Sequence, residues 1–230
     1  VQAFINLYAL TNDTLLERRI TDMAETLVYR MIIDEAPGVV VVGEQFDNQW
    51  RVIPTGDAAQ SIGSQMEAVI CLLQLASCPA VNATFAVQLI STAQAVAASS
   101  FKLAFDDVHG GFVSLVDLKQ QGRIASAPKV WWVQAKAIHA LWLLIDIADQ
   151  DNTYGHMLRS TITWLESAQL DKDVARSEWF TAVAADGMSV LDSHKGSEWK
   201  TPYETVSSLL AVADDIKNRI LGKSARVRVR

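Results

Sequence analysis

A short phrase recurs in this chain at nearly constant spacing, and it constrains the fold more than any other feature. The phrases SQMEAV (64–69), VQAKAI (133–138) and PYETVS (202–207) each open an apolar helical pattern. Aligning them pairs Glu67 with Lys136 and Glu204, at spacings of 69 and 68 residues. A period of this length is typical of stacked supersecondary units. We therefore expect a repeat architecture.

The spacing of apolar residues predicts helices and, between them, short strands. Three stretches alternate in the manner of strands and contain turn residues, namely 39–53, 110–117 and 177–187, and we expect a β-hairpin in each. Each unit would then be a helical hairpin followed by a β-hairpin and a loop. The predicted helices cover residues 1–11, 14–34, 64–77, 82–105, 131–149, 152–171 and 202–220.

Stacked helical hairpins bury one face against their neighbours, so the array must be capped or closed into a ring. The chain holds about 3.4 units of this repeat, and neither end resembles a cap. We expect one domain over 1–220, part of a toroid whose earlier repeats would precede Val1, followed by a basic tail over 221–230. The three repeated phrases would bring Glu67, Lys136 and Glu204 to one rim of a central cavity, where ligands commonly bind.

Composition and charge exclude several classes of protein. The net charge is -6, and basic residues cluster only in the tail, so a general nucleic-acid binder is not expected. No run of eighteen apolar residues predicts a membrane span. Cys71 and Cys78 have no further ligands at metal-binding spacing, so we expect no metal, no cofactor and a reducing compartment such as the cytoplasm. Val1 already lies within a helical pattern, so the sequence gives no information about a targeting signal.

Five segments resemble, in order, the successive signatures of the N-acylglucosamine 2-epimerase and cellobiose 2-epimerase superfamily. The pattern KxWWxQA at 129–135 together with WKxPY at 199–203 is the most specific part of this resemblance. It implies an all-α fold, an (α/α)6 toroid with short β-hairpins, of which this chain would form the C-terminal half to three-fifths. It also implies sugar epimerisation or isomerisation, in which a base removes the proton next to a ring-opened aldehyde. The segments are 63–76, 105–117, 127–144, 177–187 and 195–212.

The chain departs from that family at the residues that would transfer protons. Ser64 stands where the resembling phrase Gly-His-x-x-Glu has its histidine, while Glu67 is retained. Glu204 and Ser207 stand where a Tyr-His-x-x-Arg phrase has its histidine and arginine, and Lys136 replaces the glutamate of WWxQAE. Histidine suits proton transfer near neutral pH. The candidate catalytic residues are therefore Glu67, Glu204 and Lys136, without either histidine.

Two functions remain open at this stage. In the first, the protein no longer turns over sugar and acts as a structural subunit or sugar-binding module, with Glu204 and Lys136 as an ion pair. In the second, it is an active sugar epimerase or aldose-ketose isomerase, with Glu204 as base and Lys136 polarising the carbonyl. Each acid-base group contributes about 10²–10⁴ in rate, so losing both histidines favours the first. We expect a mono- or disaccharide ligand and another chain, a homodimer mate or a larger assembly that covers the incomplete ring.

Aromatic side chains frame the expected rim. Flat amphipathic rings either stack on sugar faces or wedge loops against helix ends, and Trp132 and Trp199 are the best candidates for lining the cavity. Among the histidines, we expect His139 to be a hydrogen-bonded core residue of an apolar helix and His194 to lie near the rim. The candidate substrate-binding residues are Trp131, Trp132, Trp179, Trp199 and Tyr203.

Overall fold

The computed structural model describes residues 1–53, 59–117, 122–124, 127–148, 152–175 and 177–222. Of the basic tail expected over 221–230, only Leu221 and Gly222 are among these residues. The helices are α1 (Gln2–Thr11), α2 (Thr14–Thr26), α3 (Ile62–Ala76), α4 (Ala83–Ala104), α5 (Trp131–Ala148), α6 (Thr153–Trp164) and α7 (Pro202–Ile220). The strands are β1 (Ile32–Ala36), β2 (Val39–Val42), β3 (Ala59–Ser61), β4 (Leu115–Asp117), β5 (Gly122–Arg123), β6 (Lys129–Val130), β7 (Ala182–Val183) and β8 (Val190–Asp192).

Side-chain caps set where most of these helices begin. Asp13 accepts from the backbone N–H of Leu15, and Ser61, Asn82 and Thr201 cap α3, α4 and α7 in the same way. Such caps satisfy N–H groups that have no partner inside the helix. The predicted helices are confirmed to within about two residues at most of their ends.

The prediction of a helix over 14–34 is wrong at its end. After α2 the chain makes one π-helical turn, Leu27–Met31, and then enters β1, so that residues 32–34 are extended. β1 pairs antiparallel with β2, with Ile32 opposite Val42. The turn between them includes Gly38 at φ 78°, a left-handed conformation that glycine adopts without strain. Pairing with a neighbouring β-branched strand thus overrides the helical periodicity of this segment.

The helices form two layers of an incomplete ring. α1, α3, α5 and α7 lie side by side on the inside, and α2, α4 and α6 each pack outside the inner helix that precedes them. α5 is apolar on most of its circumference because it contacts α3, α6 and α7 at once. Phe101, Phe105 and Phe112 form an aromatic cluster with ring centroids 5.7 and 5.3 Å apart. None of the helices in the described residues is both long and apolar enough to cross a membrane.

The strands form short local β-hairpins, as predicted, in β4–β5 and β7–β8, and a third strand joins each of them to the start of the helical hairpin. In the sheet β3–β4–β5, β3 directly precedes α3 while β4 follows α4. The sheet β6–β7–β8 repeats the arrangement around α5 and α6. At equivalent places the N–H of Ile62 donates to Ser114 O at 3.0 Å, and that of Trp131 to Thr181 O at 3.1 Å. Each short sheet therefore fixes the start of an inner helix.

Two glutamines of the repeated phrases tie each inner helix to the unit before it. The side-chain amide of Gln65 accepts from Val42 N at 2.8 Å and donates to Val42 O at 3.0 Å. Gln134 makes the same pair of bonds with Phe112, at 2.9 and 2.6 Å. Both side chains are fully buried, so the pairing satisfies groups that would otherwise be costly to bury. The period of the sequence thus corresponds to a repeated contact between units.

Candidate functional site

Three inner helices bring one charged residue each to the same end of the ring. Lys136 Nζ, on α5, lies 2.8 Å from Glu204 Oε2 on α7 and 3.6 Å from Glu67 Oε1 on α3. Each residue lies in the first or second turn of its helix, as the repeat predicts. The rim triad, defined as Glu67, Lys136 and Glu204, is therefore a real cluster that spans three units.

Burial is unequal within the rim triad. The side chain of Lys136 is 9% exposed, that of Glu204 29% and that of Glu67 55%. Burial lowers the pKa of Lys136, but contact with Glu204 and the charge of Glu67 outweigh this and raise the pKa above its ordinary value. Lys136 therefore carries its charge at neutral pH.

Glu204 has an unusual bonding state within the triad. Its Oε2 atom is buried, and no donor among the described residues makes a hydrogen bond of good geometry with it. The Lys136 ammonium lies at ion-pair distance but off the direction of a well-formed hydrogen bond. The attraction between these two groups is therefore that of an ion pair.

A cavity of about 640 Å³ opens beside the rim triad. Ser64 and Glu67 reach it from α3, and Met31 and Glu44 reach it from the opposite side. The Glu44 carboxylate is already bonded to Gln60 Nε2 at 2.7 Å and to the N–H of Ser61 at 2.8 Å. Ser64 and Glu67 are polar lining residues that a ligand in the cavity could contact. This volume accommodates a mono- or disaccharide.

Two of the predicted aromatics pack into the wall behind the rim. Trp132 lies so close to Gly63 that a Cβ there would fall 2.0 Å from its ring, so only glycine fits at the start of α3. Trp131 is buried, and Lys200 Nζ lies 6.0 Å from its ring centroid. These contacts hold the helix starts in place, and a stacking role for Trp131 and Trp132 remains a prediction.

The other three predicted aromatics lie in different surroundings. The Trp199 side chain is mostly solvent-exposed, with 80% of the residue accessible, and Tyr203 is 65% accessible at the first turn of α7. Tyr203 is close enough to Lys136 to affect its electrostatics. Trp179 lines a separate, largely apolar groove between α5, α6 and α7. Their sugar-binding roles also remain predictions.

A buried lysine that the sequence analysis missed shapes the loop bearing Trp199. Lys200 Nζ donates to Trp179 O at 2.6 Å, to Lys195 O at 3.2 Å and to His194 O at 3.5 Å. Burial lowers the pKa of this ammonium, and the charge of Lys195 lowers it further, although the charges of Glu178 and Asp192 act in the opposite direction. Lys200 belongs to the WKxPY pattern, and this pattern is the sequence feature from which its importance could have been inferred.

A second missed lysine stabilises the loop after α4. Lys129 is fully buried, and its Nζ donates to Asp106 Oδ2 at 2.8 Å and to Gly110 O at 2.6 Å. Burial alone would raise the pKa of Asp106, but the bond from Lys129 and those from backbone N–H groups hold it well below its usual range. Lys129 begins the KxWWxQA pattern, so the sequence marked its position without indicating its role.

The prediction that His139 is a hydrogen-bonded core residue is half wrong. The residue is 8% exposed, yet its ring makes no hydrogen bond with any residue that the structure describes. Burial, and to a lesser degree the charge of Lys136, lower its pKa to about 4. His194 is exposed and contacts Asp192 Oδ1 at 2.6 Å. Within the described ranges, no group of three or more His, Cys, Asp or Glu side chains is arranged to hold a metal ion.

The fold is similar to those of solved sugar-converting enzymes. A D-mannose isomerase matches with a TM-score of 0.75 and 19% identity, over 93% of this chain and 54% of that one. A cellobiose 2-epimerase from Bacillus thermoamylovorans B4167 matches with a TM-score of 0.73 and 20% identity, over 92% and 50%. A cellobiose 2-epimerase from Spirochaeta thermophila DSM 6192 matches with a TM-score of 0.75 and 18% identity, over 95% and 51%. These likenesses show an (α/α)6 toroid fold, of which the chain spans about half the length.

Sequence comparison identifies the family. Curated protein sequences gave no match. The model of the family described as N-acylglucosamine 2-epimerase (GlcNAc 2-epimerase) matches residues 1–203, which is most of the chain. The match includes the first two repeated phrases and both specific tryptophan patterns, and it agrees with the likeness of the fold. The chain belongs to the N-acylglucosamine 2-epimerase family.

Proposed function

We propose that this chain is a catalytically degenerate member of its family that binds a mono- or disaccharide at the rim without transferring protons. The observation that carries the proposal is the ion pair of 2.8 Å between Lys136 and Glu204. It occupies the position where the resembling sequences have a catalytic histidine. The rim cavity, which Glu67 lines, supports the retention of binding.

The rim triad is poorly suited to acid-base catalysis. If Glu204 accepted a proton, the nearly buried ammonium of Lys136 would lose its closest counter-ion. Each 1.4 kcal/mol added to a barrier in this way slows a reaction about tenfold. Lys136 is also a weak proton donor at neutral pH, because its pKa is raised.

The remaining substituted positions do not replace the missing base. Ser64 reaches the rim cavity, but a hydroxyl needs a neighbouring base before it can take part in proton transfer. The hydroxyl of Ser207, at the position of the family arginine, points back to its own helix and contacts Glu204 O at 3.4 Å. Neither Ser64 nor Ser207 can therefore act as the base that the proton transfer requires.

An active sugar epimerase or isomerase is the second candidate, and one observation favours it. Glu204 Oε2 has no well-formed hydrogen bond from a described residue, so it has a lone pair available to accept a proton. Lys136 would then polarise the carbonyl oxygen of a ring-opened sugar. This candidate predicts turnover, whereas degeneracy predicts binding alone.

We also propose that a second copy of this chain, in a homodimer or a larger assembly, covers the incomplete ring at its α1 edge. Support comes from α1, which has no buried residue and exposes Phe4, Leu7 and Leu10. Apolar surface of this kind is typical of contact surfaces. Light scattering after size exclusion should give a mass above that of the single chain of 25.3 kDa, and a monomer at all concentrations would contradict this part of the proposal.

The proposed binding is tested with cellobiose, mannose and N-acetylglucosamine, using saturation-transfer NMR for contact and chromatography for conversion. We expect saturable contact with at least one sugar and no conversion of any. Glu67→Ala should weaken binding several-fold because Glu67 lines the cavity, while the matched change Glu25→Ala, at an exposed position of α2, should not. Conversion of a sugar would establish the second candidate. Absence of binding to all three would indicate a structural subunit instead.

A further inference from the structure

A second cavity lies deeper in the ring, between all four inner helices. Its volume is about 580 Å³, and its lining comes from α1, α3, α5 and α7. No member of the rim triad is among its lining residues in the described part of the chain. His139 reaches it from α5, one turn beyond Lys136. The inner cavity, as we call it, is therefore a separate site from the rim.

His139 is the unusual group in this inner cavity. More than nine-tenths of the residue is buried, and its ring has no hydrogen-bond partner among the described residues. An imidazole carries two nitrogen atoms that each seek a partner, and leaving them unpaired inside a protein is costly. With its pKa lowered to about 4, the ring is uncharged at neutral pH. It can therefore donate one hydrogen bond and accept another.

The charged groups of the inner cavity are already paired with each other. Arg219 forms ion pairs with both Asp146 and Asp215, and the indole N–H of Trp142 donates to Asp215 Oδ2 at 2.7 Å. The Arg219 guanidinium also lies 4.8 Å from the Trp142 ring centroid. No charge remains available to bind an ionic ligand, and the lining carries one more acid than base.

Neutral hydrogen-bonding groups and apolar side chains make up the rest of the surface. The side chains of Tyr8 and Gln74 line the cavity and make no hydrogen bond with another described residue. Ile5 and Leu143 supply apolar surface beside them. Pockets for small molecules combine these features, an apolar lining with a few converging polar groups.

We infer that the inner cavity binds a small uncharged molecule that carries hydroxyl groups and an apolar face, with His139 and Gln74 as its hydrogen-bonding partners. The class follows from the site, because its own charges are paired and its free polar groups are neutral. The inference concerns binding alone, without conversion of the ligand.

Methyl α-D-glucopyranoside is a suitable probe, because it is uncharged, hydroxylated and unable to open its ring. Titration into the full chain carrying ¹⁵N-labelled histidine should shift the imidazole signals of His139 saturably. The signals of His109, His156 and His194 should stay in place. Gln74→Leu should weaken the binding about three- to tenfold, the effect of one lost hydrogen bond. His156→Phe, at an exposed position of α6, should leave it unchanged, whereas His139→Phe should abolish it.

Several results would overturn the inference. One is a His139 signal that shows no saturable shift up to the highest concentration of the probe. Another is an equal shift caused by glucose 6-phosphate, because a charged ligand contradicts the neutral lining. The titration of the unmodified protein tests the inference even if His139→Phe fails to fold. A failure at the inner cavity leaves the rim proposal standing, because the two cavities share no described lining residue and binding at the rim is tested separately by Glu67→Ala.

Discussion

Lys129 and Lys136 lie seven residues apart in the chain, and both are buried, yet they have different surroundings. Lys129 donates to a carboxylate and to a carbonyl oxygen, both buried, in the loop that follows α4. It also lies 4.7 Å from the ring centroid of Trp164. The Lys129 side chain is fully buried against these groups.

Lys136 instead joins three units of the repeat and faces the ring. Its two carboxylate partners, Glu67 and Glu204, come from α3 and α7 and are partly open to solvent. A fully enclosed ion pair serves the fold, whereas a charged cluster with exposed carboxylates next to a cavity is available to a ligand. The difference separates a structural lysine from a candidate binding residue, although both lie in the segment 127–144.

The largest effect is expected for Lys129→Met. The change leaves the Asp106 carboxylate buried without its main partner, and breaking such a pair costs about 3–5 kcal/mol of unfolding free energy. Urea unfolding of the variant measures the loss directly. The matched control Lys102→Met, at an exposed position of α4, should change stability by less than about 0.5 kcal/mol. A small loss for Lys129→Met would remove the contrast with Lys136.

The second effect is a dependence of the unfolding free energy on pH. It differs between His139, in the ring, and Asp106, in the Lys129 site. His139 has a folded pKa of about 4, below its ordinary 6.5, so the unfolded state gains a proton first as the pH falls. The unfolding free energy should be level above about pH 6.5 and fall between pH 6.5 and 4, by on the order of 3 kcal/mol. The Asp106 contribution is present above the ordinary carboxyl pKa of 3.8 and is lost only below it.

The same pH series on His139→Gln identifies the group responsible. The variant should lose the slope between pH 6.5 and 4 and keep the steeper loss below pH 3.8. A wild-type protein with constant stability down to pH 4 would contradict the neutral, buried state assigned to His139.

A smaller loss of stability is expected for Lys136→Met. The carboxylates left behind are partly hydrated, so we expect about 1–2 kcal/mol, less than for Lys129→Met. Urea unfolding at neutral pH gives both values under the same conditions. Equal losses for the two variants would mean that the rim triad is as enclosed as the Lys129 site.

The smallest effect is an electrostatic one between neighbouring turns of α5. Because the charge of Lys136 contributes to the lowered pKa of His139, Lys136→Met should raise the pKa of His139. The pKa should nevertheless remain below 6.5, since burial is the larger cause. Histidine ¹⁵N chemical shifts followed across pH measure it, and an unchanged value would show that the two side chains do not interact.

Much of the helical framework could be predicted from the sequence. The ends of α1, α3 and α7 follow from capping residues and apolar periodicity, which act locally. The convergence of Glu67, Lys136 and Glu204 follows from the repeat, because equivalent helices begin at equivalent heights in a ring. These features depend on short-range chemistry or on symmetry.

The strands and the bonding of individual side chains could not be predicted in the same way. β3 and β4 are three-residue segments separated by a whole helical hairpin, so no local alternation reveals their pairing. The packing of Trp132 on Gly63 depends on how α5 meets α3, and the exposure of Trp199 depends on a loop whose carbonyl groups bind Lys200. Burial of His139 was predictable from the apolar helix around it, but its lack of a partner was not.

Deuterium exchange at the C2 position of a sugar tests the central claim most directly, since proton abstraction there is the step that the lost histidines would perform. The protein is incubated in D2O with glucose, mannose, N-acetylglucosamine and cellobiose, and each sugar is then examined by NMR. The ion pair between Lys136 and Glu204 predicts no label above that of a protein-free control. Label at C2 that disappears in Glu204→Gln would contradict the account and establish Glu204 as a working base.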